Sequence, residues 1–132
     1  MKNPLSKWLS DDKFEILKKN SETYSNIPPL MLFEQVFKRL QEIEEAAKNN
    51  REINLDMAKA VYNALKSVVD KWNHIDEPSK YYLRGALGYF IDDDDDEGDF
   101  DSSSGFVDDL EVVNACLHRA GLEELVIDPY DY

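Results

Sequence analysis

The residues of this sequence best suited to chemistry are carboxylates crowded into one short run. Eight of the ten residues from 92 to 101, here called the acidic run, are acidic: Asp92, Asp93, Asp94, Asp95, Asp96, Glu97, Asp99 and Asp101. Neighbouring carboxylates repel each other, at a cost of about 1 kcal/mol for a pair ~4 Å apart in water. The run therefore either stays extended and solvated, or it holds a cation or a basic partner.

A divalent cation is one candidate ligand, because Ca²⁺ and Mg²⁺ prefer carboxylate and carbonyl oxygens that converge from a turning backbone. When the required glycine of an EF-hand is placed on Gly98, acidic residues fall on five ligand positions: Asp93, Asp95, Glu97, Asp99 and Asp101. The last position, which needs a bidentate glutamate, is Ser104. The sequence argues against a true EF-hand and leaves a weaker Ca²⁺ or Mg²⁺ site open.

Other reactive residue types form no catalytic pattern. His74 and His118 lack the spacing of a zinc-binding helix, and Cys116 is expected to be a small buried apolar residue. The sequence also lacks a glycine-rich phosphate loop and a Gly-x-Ser-x-Gly turn. No catalytic residues are predicted. A metal-dependent hydrolase ranks last, because only carboxylates are available as a general base.

The net charge of −13 is concentrated in the last third of the chain. Residues 1–91 contain 14 basic and 13 acidic residues, whereas residues 92–132 contain one arginine and 15 acidic residues. This distribution argues against nucleic acid or an anionic membrane as a direct partner. It favours a basic protein partner, whose association a negative surface accelerates.

Helical periodicity predicts the elements that must position these carboxylates. Residues 30–49 form the clearest helix, and its predicted inward residues are Phe33, Val36, Phe37, Leu40 and Ile43. Ser10 is expected to cap an earlier helix within residues 4–24, and Asn54 one that runs to about residue 72. A further helix follows Pro78, over residues 79–91.

The last predicted helix spans residues 107–120, and Gly121 suits its left-handed C-terminal cap. The fold class expected is therefore all-α: a compact bundle of four to six helices in a single domain over residues 1–132. An acidic loop, residues 92–105, joins the last two long helices, and residues 128–132 form an exposed tail. A single cysteine and the lack of a ~20-residue apolar run predict a cytoplasmic protein without a membrane span.

Residues 89–109, YFIDDDDDEGDFDSSSGFVDD, carry a pattern that extends beyond the acidic run. The positions of interest are Tyr89, Asp95, Asp99, Phe100, Gly105, Asp108 and Asp109. At these positions the segment resembles the signature of the YkvA-like family, small bacterial proteins of unknown function. The three prolines of that signature are replaced here by Asp93, Gly98 and Ser102. Its apolar residues between the prolines are also replaced by acids, so this loop is not expected to contact a membrane.

The resemblance implies a helix–loop–helix arrangement with paired aspartates, and no reaction. It singles out Asp95, Asp99, Asp108 and Asp109 from their acidic neighbours, with Phe100 as an apolar anchor. Two interpretations stay open. Asp108 and Asp109 could cap the last helix, or Asp95 and Asp99 could fold back towards them around a divalent cation.

The sequence thus predicts a non-enzymatic binding or regulatory protein whose acidic run contacts a basic protein partner. An inhibitor, an immunity protein and a nucleic-acid mimic all fit this description. The alternative is a Ca²⁺ or Mg²⁺ binding module of YkvA-like type. Its ligands would be Asp95, Asp99, Asp108 and Asp109, with Asp93, Glu97 and Asp101 as additional candidates. The oligomeric state stays open.

Overall fold

A computed structural model of the chain describes residues 3–91 and 106–131. Five α-helices lie in these residues: α1 (Asp11–Thr23), α2 (Pro29–Ala47), α3 (Leu55–Asp70), α4 (Glu77–Ile91) and α5 (Val107–Ala120). Short 3₁₀ turns occupy Trp72–His74, Glu123–Leu125 and Pro129–Asp131, and the described ranges contain no β-strand. The all-α bundle predicted from helical periodicity is confirmed. The acidic loop between α4 and α5 lies outside the described residues.

The predicted caps set the ends of several helices. The Ser10 hydroxyl accepts a hydrogen bond from the Lys13 amide at 3.4 Å, and the Asn54 side chain accepts one from the Met57 amide at 3.0 Å. Gly121 has a positive φ of 75° after the last residue of α5, a conformation that glycine adopts without a steric penalty. These three predictions are confirmed.

Helix α4 begins two residues earlier than predicted. The Asp76 carboxylate accepts a hydrogen bond from the Ser79 amide at 3.3 Å, so an aspartate cap starts the helix and Pro78 lies in its first turn. Hydrogen bonding from Ser79, with the charge of Arg119 as a smaller contribution, lowers the pKa of Asp76 below its ordinary value.

Helix α4 is the centre of the bundle. It packs against α1, α2 and α5, while α3 packs against α2 and α5. Leu83, Ala86 and Leu87 of α4 are fully buried, which follows from contact with helices on several sides. Within the described part of the chain, no helix is both long and apolar enough to cross a membrane.

Helices α1 and α4 approach each other closely because α4 carries two glycines. A Cβ atom placed on Gly85 would lie 2.8 Å from the backbone oxygen of Leu17 and would also meet the hydroxyl of Ser21. A Cβ atom placed on Gly88 would meet the ring of Tyr24. The two glycines therefore set the distance between these helices.

The predicted inward face of α2 is wrong at one residue. Val36, Leu40 and Ile43 are buried as expected, but the side chain of Phe37 is 46% exposed. Successive helical residues lie about 100° apart around the axis, so Val36 and Phe37 cannot both point towards α4. Phe37 instead lies beside the ring of Tyr62 on α3, with a centroid distance of 6.3 Å.

Candidate acidic interaction surface

The described part of the last third begins with Phe106 and α5, and the buried face of α5 anchors it in the bundle. Leu110, Val113 and Leu117 recur at three- and four-residue steps and are buried. Phe106, the residue before α5, is only 1% exposed. Sequence reasoning missed Phe106 as an anchor. The signal was an apolar residue placed directly before a helix whose first turn is acidic.

Asp108 and Asp109 lie in the first turn of α5, where the helix dipole favours negative charge, but their surroundings differ. The Asp108 side chain is 59% exposed, whereas Asp109 is a buried residue with 5% exposure. The first turn as a whole therefore presents one of the two predicted carboxylates to solvent.

A lysine from α1 contacts this turn. The Lys13 ammonium lies 3.1 Å from the Asp108 carboxylate and 2.9 Å from the Glu111 carboxylate, across 98 residues of sequence in the second case. Burial acts to lower the pKa of Lys13, but hydrogen bonds to Glu111 and Asp108, together with their charges, outweigh it and raise that pKa. Part of the negative charge of α5 is thus neutralised within the fold.

The C-terminal segment, residues 122–131, is held against α5 by Asn114. The Asn114 amide group donates a hydrogen bond to the Ile127 carbonyl and accepts one from the Ile127 amide, both at 2.8 Å. Ile127 itself is buried. This two-way contact fixes the backbone on which Glu124 and Asp128 stand, and sequence reasoning did not identify it.

An open groove of about 300 Å³ lies between α3 and the C-terminal segment. Its apolar lining includes Ala64 and Leu125, and three carboxylates face it: Glu124, Asp128 and Asp131. Asp128 and Asp131 are exposed, as predicted for the tail. The groove can accept an apolar stem with a cationic end, the chemistry of a lysine or arginine side chain.

A larger open depression of about 570 Å³ lies elsewhere, at the end of α2. Its lining includes Glu44, Glu45, Lys48 and Leu55, and Lys48 lies 3.0 Å from Glu45 in an ion pair. The lining of this depression contains a cation, whereas the charged residues that line the groove beside the C-terminal segment are all carboxylates. One of those carboxylates, Glu124, lies 3.9 Å from the ammonium of Lys71, which is outside the lining.

The last third contains one arginine and one histidine, and each lies near a carboxylate. Arg119, the one arginine after residue 91, lies 4.0 Å from Asp76 and 3.5 Å from the Ser79 hydroxyl at the start of α4. The ring of His118 stacks on Trp8 at a centroid distance of 5.1 Å and lies 2.7 Å from Glu123. His118 therefore makes its contacts within the fold, with Trp8 before α1 and with Glu123 after α5.

The metal-site prediction falls largely outside the described residues. Asp93, Asp95, Glu97, Asp99 and Asp101 all lie in the acidic loop, so only Asp108 and Asp109 can be placed. Among residues 3–91 and 106–131, no three His, Cys, Asp or Glu side chains are grouped as metal ligands. The divalent-cation site stays a prediction.

Cys116 has the environment of a structural residue. It is 1% exposed, and its thiol lies 3.5 Å from the Tyr82 carbonyl. Burial raises the pKa of the Cys116 thiol far above its usual range. Because a thiolate is the reactive form, this environment suppresses nucleophilic chemistry, and the predicted buried apolar role is confirmed.

Comparison of the chain with protein-family models, with curated proteins and with solved structures gave no match. The class of the protein is therefore defined by its fold, an all-α bundle, and by the charge of its last third.

Proposed function

We propose that this chain is a non-enzymatic binding protein whose acidic last third engages a basic protein partner. The observation that carries the proposal is the segregation of charge along the chain. Fifteen carboxylates and one arginine follow residue 91, after a segment that is nearly neutral. A surface charge of one sign attracts partners of the opposite sign and raises their association rate.

The described residues support this proposal through the placement of the single arginine. Arg119 is directed to Asp76 and Ser79 of α4, where it offsets negative charge inside the fold. Glu123 and Glu124 have side chains that are 62% and 60% exposed. Glu124 lies 3.9 Å from Lys71, and Asp128 and Asp131 are exposed as well, so carboxylates are in excess on the C-terminal part.

The groove beside the C-terminal segment supports a protein rather than a free cation as the partner. It combines apolar residues such as Leu125 with the carboxylates of Glu124, Asp128 and Asp131. A lysine or arginine side chain buries its methylene stem and keeps its charge near carboxylates, so it satisfies both parts. In the proposal, the acidic run of residues 92–101 contacts the same basic partner.

The proposal also includes the YkvA-like resemblance of residues 89–109. In that reading, Asp95, Asp99, Asp108 and Asp109 belong to a helix–loop–helix signature whose loop has become strongly acidic. The acidic residues at the apolar positions of that signature support a basic rather than an apolar partner for this loop.

The deciding experiment recovers bound proteins from the native host with the wild-type chain and with a variant whose acidic run is changed to Asn and Gln. We expect a basic protein to bind the wild-type chain stoichiometrically. Its affinity should fall steeply as salt rises, because exposed charges are screened within about 8 Å at physiological ionic strength. The neutralised variant should lose most of this binding.

A matched control removes the same number of exposed carboxylates from the other part of the chain: Asp12, Glu15, Glu22, Glu45, Glu52, Asp56, Asp70 and Glu77. This control changes the net charge equally and leaves the acidic run intact. If both variants lost binding equally, net charge alone would account for the binding and the acidic run would have no specific role. Salt-independent binding, or binding that survives neutralisation of the run, would contradict the proposal.

A further inference from the structure

The exposed apolar residues of this protein concentrate on one side of α2. In the described part of the chain, three of the five large apolar side chains that are exposed belong to its first nine residues: Leu30 (69%), Met31 (58%) and Phe37 (46%). Phe33 and Tyr62 are partly buried beside them, with ring centroids 5.3 Å apart. These five residues are called the α2 patch.

The geometry of the patch is that of an unfilled helix–helix seam. Leu30, Phe33 and Phe37 are spaced by three and four residues, so they form one strip along α2. The adjoining side of α2, with Leu32 and Val36, packs against the rest of the bundle. A contiguous apolar surface of this kind marks an interaction site.

Charged residues beside the strip indicate which partner can pack on it. Glu34 and Lys38 are exposed, lie one turn apart on the same flank, and have no ion-pair partner among residues 3–91 and 106–131. In an antiparallel pair of α2 helices centred on Val36, Glu34 of one copy is level with Lys38 of the other, and the reverse holds by symmetry. The pair of helices then forms two ion pairs, each between Glu34 of one copy and Lys38 of the other.

The same register also fits the apolar strip. Phe37 of one copy becomes level with Gln35 of the other, midway between the second copy's Phe33 and Phe37 on the strip. This is the knob-into-hole relation of packed helices. Charge pattern and apolar spacing therefore select the same alignment.

The position of α2 in the bundle permits such pairing despite the net charge of −13. Helix α5 packs against α1, α3 and α4, and the patch is on the outer side of α2. Residues Pro29 to Leu40 contain one acidic and two basic residues. Among the described residues of the acidic third, α5 makes its main helix contacts with α1, α3 and α4 and leaves the α2 patch uncovered.

We propose that the α2 patch is a two-fold interface at which α2 packs antiparallel against α2 of a second copy of this chain. The proposal is independent of the basic-partner function, because its residues belong to α2 and α3, within the nearly neutral segment of residues 1–91. It assigns the apolar contact to Leu30, Phe33 and Phe37, and the alignment of the two helices to Glu34 and Lys38.

Sedimentation equilibrium of the full chain tests whether the pair forms. We expect the mass to rise from 15.3 kDa towards twice that value with increasing concentration. Phe37→Ser should abolish the rise, whereas Ile16→Ser, which removes an equally exposed apolar side chain from α1, should leave it unchanged. Circular dichroism confirms that both variants stay folded. A wild-type chain that remains monomeric to millimolar concentration, or equal behaviour of the two variants, would overturn the proposal.

Charge reversal tests the alignment. Glu34→Lys and Lys38→Glu should each weaken self-association about tenfold, because two attractive contacts become repulsive. Mixing the two variants should restore association, since every contact between them is again between opposite charges. Lys19→Glu, an exposed reversal on α1, matches Lys38→Glu in net charge and should have no comparable effect. Failure of the mixed variants to associate better than either alone contradicts the antiparallel register.

Discussion

At the scale of single residues, the side chains that decide the acidic surface are those that neutralise or bury its charges. Lys13 lies between Asp108 and Glu111, and Arg119 is paired with Asp76. Both cations join the last third of the chain to earlier helices. The exposed acidity of α5 is therefore smaller than its sequence indicates, and among the described residues the remaining exposed carboxylates lie mainly in the C-terminal segment.

Removing the Lys13 charge tests this point. In Lys13→Met, the stem still packs but Asp108 and Glu111 lose their common cation, and we expect the free energy of unfolding to fall by about 1 kcal/mol at pH 7. The contribution of a raised pKa is complete below the unfolded-state value of 10.5 and disappears as pH rises through the higher folded-state value. Urea denaturation between pH 7 and 11 measures both effects.

Lys19→Met supplies the control for Lys13, because it removes an exposed lysine from the same helix. We expect its effect to stay within about 0.5 kcal/mol at every pH. If the two variants lose the same stability, the contacts of Lys13 with Asp108 and Glu111 contribute nothing specific.

Burial of Cys116 gives a second prediction at this scale. With the thiol 1% exposed and its pKa strongly raised, we expect a thiol reagent to label the native chain about a hundredfold more slowly than the urea-unfolded chain. Labelling followed by mass spectrometry measures the two rates. Fast labelling of the native chain would mean that α4 and α5 separate readily.

At the scale of elements, the contact of α1 with α4 is the one that a single methyl group can break. Alanine normally stabilises a helix relative to glycine by about 1 kcal/mol. For Gly85→Ala the sign should reverse, because the added Cβ lies too close to the backbone oxygen of Leu17. We expect a loss of about 2 kcal/mol or more in the free energy of unfolding, measured by urea denaturation.

Ser21 provides the companion variant to Gly85→Ala. Its hydroxyl is buried without a hydrogen-bond partner in the described part of the chain, so Ser21→Ala should be neutral or stabilising. In the double variant it should recover part of the loss, since the hydroxyl no longer obstructs the new Cβ. A stabilised Gly85→Ala variant would show that α1 and α4 are less tightly packed than the structure indicates.

At the scale of the whole molecule, charge and apolar surface lie on different parts of one bundle. The acidic residues follow α4, and the α2 patch lies on the outer side of a nearly neutral helix. The two proposals can therefore be tested with separate variants. Neutralising the acidic run should leave self-association intact, and Phe37→Ser should leave binding of a basic partner intact.

The divalent-cation hypothesis has its own prediction. If Asp95 and Asp99 fold back towards the first turn of α5, Ca²⁺ or Mg²⁺ at about millimolar concentration should shift the amide resonances of Asp108 and Asp109 together with those of the acidic run. Sodium chloride at the same ionic strength is the control for screening. An Asp108→Asn variant should weaken the response. Unchanged resonances would exclude a shared site.

Helix caps and apolar spacing, which are local features of the sequence, were sufficient to predict the helices of this protein. Ser10, Asn54 and Gly121 lie at the helix ends that were predicted from their residue types, and the apolar spacing of α2 predicted residues that are buried, among them Val36, Leu40 and Ile43. Such signals depend on neighbours within a few residues, so they can be recognised in a single chain. The charge asymmetry is likewise a property of composition.

The tertiary structure decided which charges and apolar residues remain outside. Lys13 reaches Glu111 across 98 residues, Asn114 fixes Ile127, and Phe37 stays exposed although its spacing suited the core. Each outcome depends on which helix packs against which, and at what angle. The hydrophobic periodicity of one helix defines a face but not its neighbour, so contacts between distant segments arise only when the bundle is assembled.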